Sequence, residues 1–212
     1  METDADDRIA SAADEIEEFL LEMHEDEDGV HANTLVCTSA AIAGEALLRV
    51  TMNEGDLYGR RGALASGSQD ALAAGIGGGS VLDHLEQAAQ TMGLGEEDFP
   101  DIIEIRRLIA AGIDNGEAPV LTADSEQEPE IPPMIGAALA REDVLDIYTA
   151  YDLDARAAAQ AATLALCRVI SESSEVLAPA IAFRLALGSL VTATLLYPVA
   201  RDDIEQITGT EA

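Results

Sequence analysis

Apolar and polar positions divide this chain into helical runs. From Ile9 through Ala13, Ile16, Leu20 and Met23 the apolar residues step by four and three, with acids filling most positions between them. That spacing predicts an amphipathic helix over about Asp4–Asp26, lying on a core by one narrow stripe. Thr3 and Asp6 have the spacing of a capping box at its start. Gly29, after the acidic run Glu25-Asp26-Glu27-Asp28, suits a left-handed helix terminus. A second helix, Asn33–Met52, is apolar nearly all round, so it is expected at the centre. Ala40, Ala43 and Gly44 allow another backbone close to it, and Glu45 and Arg49 stand one turn apart as an ion pair would.

The pattern then weakens. Gly55 to Gly79 holds eight of the 17 glycines and reads as loop, with at most a short helix over Gln69–Ala74. Helix three, Val81–Met92, carries Leu82, Leu85, Ala89 and Met92 on one face. Helix four, Phe99–Ile113, carries Ile102, Ile105, Ile109 and Ile113, with Pro100 in its first turn. Residues 117–133 contain Pro119, Pro129, Pro132 and Pro133 around an acidic run, and are expected to form an exposed linker. Beyond it come helix five, Met134–Tyr151, with a break near Arg141; helix six, Ala155–Ile170, capped by Asp154; and helix seven, Pro179–Tyr197, ended by Pro198. A last acidic turn covers Arg201–Ile207. The expected architecture is therefore all-α: residues 1–212 form one bundle of six or seven helices, with a Gly-rich loop and an acidic Pro-rich loop. The 117–133 linker separates helices one to four from helices five to seven, and helices two, six and seven are central.

Composition sharpens this picture. Apolar residues make up 48% of the 212 residues and aromatics 3%, with no Trp, so Ala, Leu, Ile and Val must build the core. There are 41 Asp and Glu against 11 basic residues, all of them Arg, giving a net charge of −30. Such a charge strains a compact state by self-repulsion in dilute salt. In molar salt the Debye length falls to about 3 Å and the repulsion is screened. Because the acids recur along most of the chain and form no single block, the composition looks like a halophile's, of the kind a salt-in archaeon makes. The absence of Lys excludes a P-loop and every Schiff-base enzyme. Met1-Glu2-Thr3-Asp4 has neither the basic nor the apolar region of a signal peptide, so a cytoplasmic location is expected. Cys37 and Cys167 each lie in an apolar helical run and read as free thiols.

Candidate chemistry is sparse. Helix seven has the length of a membrane span, but Arg184 near its middle and its acidic flanks argue for a buried core helix with no membrane. Arg184 would then need a carboxylate, a carbonyl or an interface. Gly75-Ile76-Gly77-Gly78-Gly79-Ser80 leads into a helix as phosphate-binding loops do. Ser80 stands where the dinucleotide pattern needs Gly or Ala, and Ser80 with Asp83 makes a capping box instead, so no cofactor is expected.

Glu15, Glu18 and Glu22 line one side of the first helix, with Asp143 and Asp146 on helix five as facing candidates. In this grouping alone the chain resembles all-helical nucleotide pyrophosphohydrolases. The resemblance implies Mg²⁺ held by carboxylates from two helices, with Arg60-Arg61 or Arg106-Arg107 meeting phosphate. His24, His31 and His84 lack any metal-ligand spacing and read as surface residues, so no metal centre is expected from them.

Val144–Leu166 has a helix-turn-helix outline that would point Arg156, Gln160 and Thr163 outward. Its second helix, however, has the Ala and Leu content of a core, so nucleic-acid binding is not the leading expectation. The small-residue faces of helices two and six, with the apolar helix seven, suggest a homodimer through helices. The leading expectation is thus a non-enzymatic helical interaction or regulatory module with no cofactor. A carboxylate–Mg²⁺ phosphohydrolase and an acidic DNA-binding regulator stand behind it.

Overall fold

The structure, a computed structural model, describes residues 2–27, 29–53, 56–57, 68–95, 97–115, 127–200 and 203–204. Among these, seven helices of 11 residues or more carry the fold. They are α1 (Glu2–His24), α2 (Ala32–Thr51), α4 (Val81–Thr91), α5 (Ile102–Asn115), α6 (Pro133–Ala150), α7 (Ala155–Ser173) and α8 (Pro179–Leu195), with a four-residue α3 (Ser68–Ala71). The all-α expectation holds, with one small addition. Glu25–Asp26 (β1) and Gly29–Val30 (β2) pair antiparallel in a two-residue hairpin, where Gly29 takes φ +103°. The first helix therefore stops at His24, two residues short of the expected end.

The central element is α2. Every residue from Thr34 to Leu48 is buried, and α8, α7 and α6 pack round it. Two glycines set how closely they come. A Cβ on Gly44 would lie 2.6 Å from the Ala193 Cβ and 2.9 Å from the Leu190 carbonyl of α8. A Cβ on Gly136 of α6 would collide with Thr38 of α2. The small-residue face expected to reach a second copy is thus used up inside one protomer. By length and composition α2 could cross a membrane, yet most of its surface is covered by the bundle. Residues from both sides of the 117–133 stretch share the same core, with Leu47, Phe183, Leu85, Leu166 and Ile16 fully buried.

Local signals explain most boundaries. Ser80 and Asp83 form the expected capping box: Asp83 Oδ2 accepts from Ser80 N at 2.7 Å, and Ser80 Oγ from Asp83 N at 3.3 Å. Asp154 caps α7 by accepting from Arg156 N and Ala157 N. Asp101 caps α5 in the same way, through Ile103 N at 2.8 Å, so Pro100 lies ahead of that helix and not in its first turn. The break expected near Arg141 is absent: α6 is continuous, because Arg141 is buried and fully engaged. Arg141 donates from Nε (2.8 Å) and Nη2 (2.7 Å) to the two oxygens of Glu45, and from Nη1 to the Val199 carbonyl (2.7 Å). Arg184 corrects another expectation. It points to solvent from an otherwise buried helix and so needs no buried partner. Most of the expected linker, the turn at 201–207 apart from Asp203 and Ile204, and Arg60-Arg61 lie outside the described residues.

Candidate functional site

The acids of α1 fall into two rows that meet different neighbours. One row faces α7, where Arg168 pairs with Asp14 and lies 4.0 Å from Glu17. Glu17 is only 13% exposed at its side chain. Its burial, followed by the charge of Glu172 and the hydrogen bond between the two carboxyls, pushes its pKa up to about 7, with Arg168 opposing. The other row, Glu15, Glu18 and Glu22, faces α6. There it shares a groove of about 420 Å³ with Asp143 and Asp146, floored by Phe19, Ile147 and Ala150. The five carboxylates singled out in the sequence are therefore brought to one place. Like charges stand on both walls, and no basic residue is among the lining side chains described. Beside the groove the Tyr151 hydroxyl bonds to Glu15, which holds the phenol above its usual pKa.

Whether these residues suit Mg²⁺ can be tested on the arrangement itself. Among the described residues no group of three or more His, Cys, Asp or Glu is placed to hold a metal ion. All five carboxylates are exposed, whereas a carboxylate cage needs oxygens converging on one point at about 2.0–2.1 Å from the ion. The donor set does not fit the ion as it stands. Arg106 and Arg107 sit on α5, which packs against α8, and do not line the groove.

The remaining candidates resolve into structural roles. In the Gly75–Ser80 loop the Asp83 carboxylate already occupies the helix N-terminus, bonding both Ser80 N and Ser80 Oγ. The loop is pinned from outside by His84 Nε2 at the Gly77 carbonyl (2.9 Å) and by Arg156 at the Gly75 carbonyl (3.2 Å). A phosphate would meet a fixed negative charge there. In the helix-turn-helix outline, α7 is clasped by α1, α2, α4 and α8, and Thr163 is buried with its hydroxyl on the Ala159 carbonyl. Arg156 is exposed and donates to the Gly75 carbonyl, and Gln160 is half-buried, so of the three residues expected to face outward one is exposed.

The histidines differ from one another. His24 is buried at 8% exposure, against the expectation of a surface residue, and desolvation lowers its pKa. His31 lies 3.5 Å from both Asp26 and Glu130, tying the hairpin to the residues that lead into α6. Cys37 and Cys167 are free thiols, and burial pushes their pKa values up to about 12 and about 11, which keeps both protonated and poorly nucleophilic.

The sequence signals missed the pairings made across the fold, those of Arg168 with Asp14 and Arg141 with Glu45 among them. Glu45 was readable as a partner for Arg49 one turn away, but its engagement by Arg141, 96 residues along the chain, leaves no local trace. Comparison with family models, with curated proteins and with solved structures finds no match to this chain.

Proposed function

We propose that this chain is a non-enzymatic helical interaction or regulatory module of a salt-adapted cytoplasm, and that a protein partner docks in the groove between α1 and α6. The observation that carries the reading is the composition of that groove: acidic walls from two helices over the apolar side chains of Phe19 and Ile147. A partner segment carrying bases beside apolar residues complements it. In molar salt, long-range attraction is screened within about 3 Å, so the apolar floor supplies affinity and the carboxylates set register. The test is a pull-down in high KCl with the wild type and with Glu18→Arg/Asp143→Arg. A partner retained by the first and lost by the second supports the reading. Equal capture by both sinks it.

The homodimer belongs to the same proposal, but its surface must differ from the one first expected, since the small-residue faces are internal. The exposed apolar side chains Ile103 (75%) and Leu108 (53%) on α5 are where a self-contact would form. Sedimentation in high KCl should show a dimer that Ile103→Asp/Leu108→Asp converts to monomer; a monomeric wild type removes it.

One observation favours a second reading, a carboxylate–Mg²⁺ nucleotide phosphohydrolase: the acids named for that chemistry do share one groove. The described residues form no metal cage, so no reaction step is derived. Mg²⁺-dependent hydrolysis of nucleoside triphosphates, lost in Glu18→Gln, would displace the interaction reading.

A further inference from the structure

A cavity of about 260 Å³ lies between α4 and α7. Ala88 of α4 and Leu164 of α7 give it apolar surface, and Gln87 and Gln160 bring a carboxamide to it from each helix. No Asp, Glu or Arg is among its lining residues, in a chain of which 25% is charged. A neutral wall is the opposite of the acidic groove between α1 and α6. Whatever enters here meets hydrogen-bonding groups and apolar surface, with no fixed charge.

Most of the polar groups around the cavity are already engaged. Thr91 and Thr163 each donate their hydroxyl to a carbonyl one turn back on their own helix, at 2.9 and 2.8 Å. The Cys167 thiol is directed at the His84 carbonyl at 4.0 Å, and His84 Nε2 donates to the Gly77 carbonyl at 2.9 Å. The carboxamides of Gln87 and Gln160 are left, since neither makes a hydrogen bond within the described residues. Gln160 is nevertheless held in place. A Cβ at Gly77 would lie 2.5 Å from its Oε1 and 2.7 Å from its Nε2, so the carboxamide packs directly against that glycine. His84 fastens the same glycine from α4, and the two walls are thereby set relative to each other. A positioned carboxamide with both its donor and its acceptor unused is a recognition group without its complement.

We propose that this cavity binds an uncharged nucleobase that carries an amino group beside a ring nitrogen, its edge on the Gln160 carboxamide and its ring along Ala88 and Leu164. A carboxamide presents one acceptor and one donor side by side in a plane, and the amino group and ring nitrogen of adenine present the complement. The cavity is small for a ligand site and suits a single heterocycle. No Arg lines it to hold a phosphate, so the ligand is the base or nucleoside and not the nucleotide. Such recognition does not rest on charge, and molar salt leaves it in force. The site is separate from the α1–α6 groove and stands or falls without it.

The probe is adenosine, titrated into the full chain at high KCl and followed by calorimetry. Purine riboside, which lacks the amino group, and AMP are compared on the same protein. The expected result is saturable adenosine binding tighter than about 1 mM, purine riboside at least tenfold weaker, and AMP no tighter than adenosine. Gln160→Leu should weaken adenosine at least tenfold, and Ala88→Leu, which fills the space of the ring, should abolish binding. Absence of saturable binding to the folded wild type overturns the proposal. So does purine riboside binding as well as adenosine, or AMP binding tenfold tighter. Adenosine affinity that neither variant changes, both being folded by circular dichroism, overturns it equally.

Discussion

Arg141 of α6 lies fork to fork on Glu45 of α2, with both nitrogens within 2.8 Å of the carboxylate oxygens and both side chains at most 9% exposed. The pair is shielded from the solvent salt that screens the rest of the molecule, and a third donor holds the Val199 carbonyl beyond α8. Removing one partner strands a buried charge. Glu45→Ala or Arg141→Ala should each cost about 3–5 kcal/mol in urea unfolding at fixed KCl. Replacing both together, as Glu45→Leu/Arg141→Met, should recover most of that loss. A double variant as unstable as either single one would show that the pair stabilises beyond its own charge balance.

Gly44 is the second sensitive point. Gly44→Ala improves helix propensity by about 1 kcal/mol. It also drives a methyl to 2.6 Å from Ala193 and 2.9 Å from the Leu190 carbonyl, atoms that move only if α8 moves. Overpacking should win, with a net loss of about 1–3 kcal/mol, and Gly44→Val should be worse. A stabilised Gly44→Ala would mean that the α2–α8 approach is looser than described.

Glu17 gives the seam between α1 and α7 a pH dependence of definite sign. Its folded pKa of about 7 lies above the ordinary value of 4.5, so the folded state holds the proton more tightly than the unfolded chain. The stabilisation is complete below about pH 4.5 and disappears as pH rises through 7. After allowance for solvent screening the loss is on the order of 1 kcal/mol. Glu17→Gln should flatten this part of the profile, so the informative quantity is the difference between variant and wild type from pH 5 to 8. Parallel profiles would refute the assignment.

Salt dependence follows from the net charge of −30. The urea midpoint should fall steadily as KCl drops from molar to 0.1 M, as the Debye length grows from about 3 to 10 Å. Undiminished stability at 0.1 M KCl would contradict adaptation to salt.

What the sequence made legible was periodic or local. The stripe Ile9-Ala13-Ile16-Leu20 placed α1 on the core, and Ser80-Asp83 and Asp154 placed two helix starts, because those signals lie within a few residues of their effect. The acids of α1 and α6 were nameable as a group for the same reason, since helical spacing decides which side chains share a face. The Arg residues were not legible. Arg141 read as a helix break and is a buried anchor, while Arg184 read as needing a partner and faces water. Apolar neighbours surround both in sequence, and only the rotation of α6 and α8 against the core separates them. The cavity between α4 and α7 was invisible because each helix contributes a few ordinary side chains to it.

The two acid rows of α1 give that helix unequal fastenings. Towards α7 it is riveted by Arg168, and at the end of α6 Arg8 meets the Tyr151 and Asp152 carbonyls; along the groove between them it faces Asp143 and Asp146, with no base among the lining side chains described. As external cations are withdrawn, the α6 edge should lift first while the α7 edge holds, so α1 would swing out like a door before the bundle melts. Amide exchange would show this as early loss of protection on α1 while α2 remains closed. The first helix would then report the ionic strength around it.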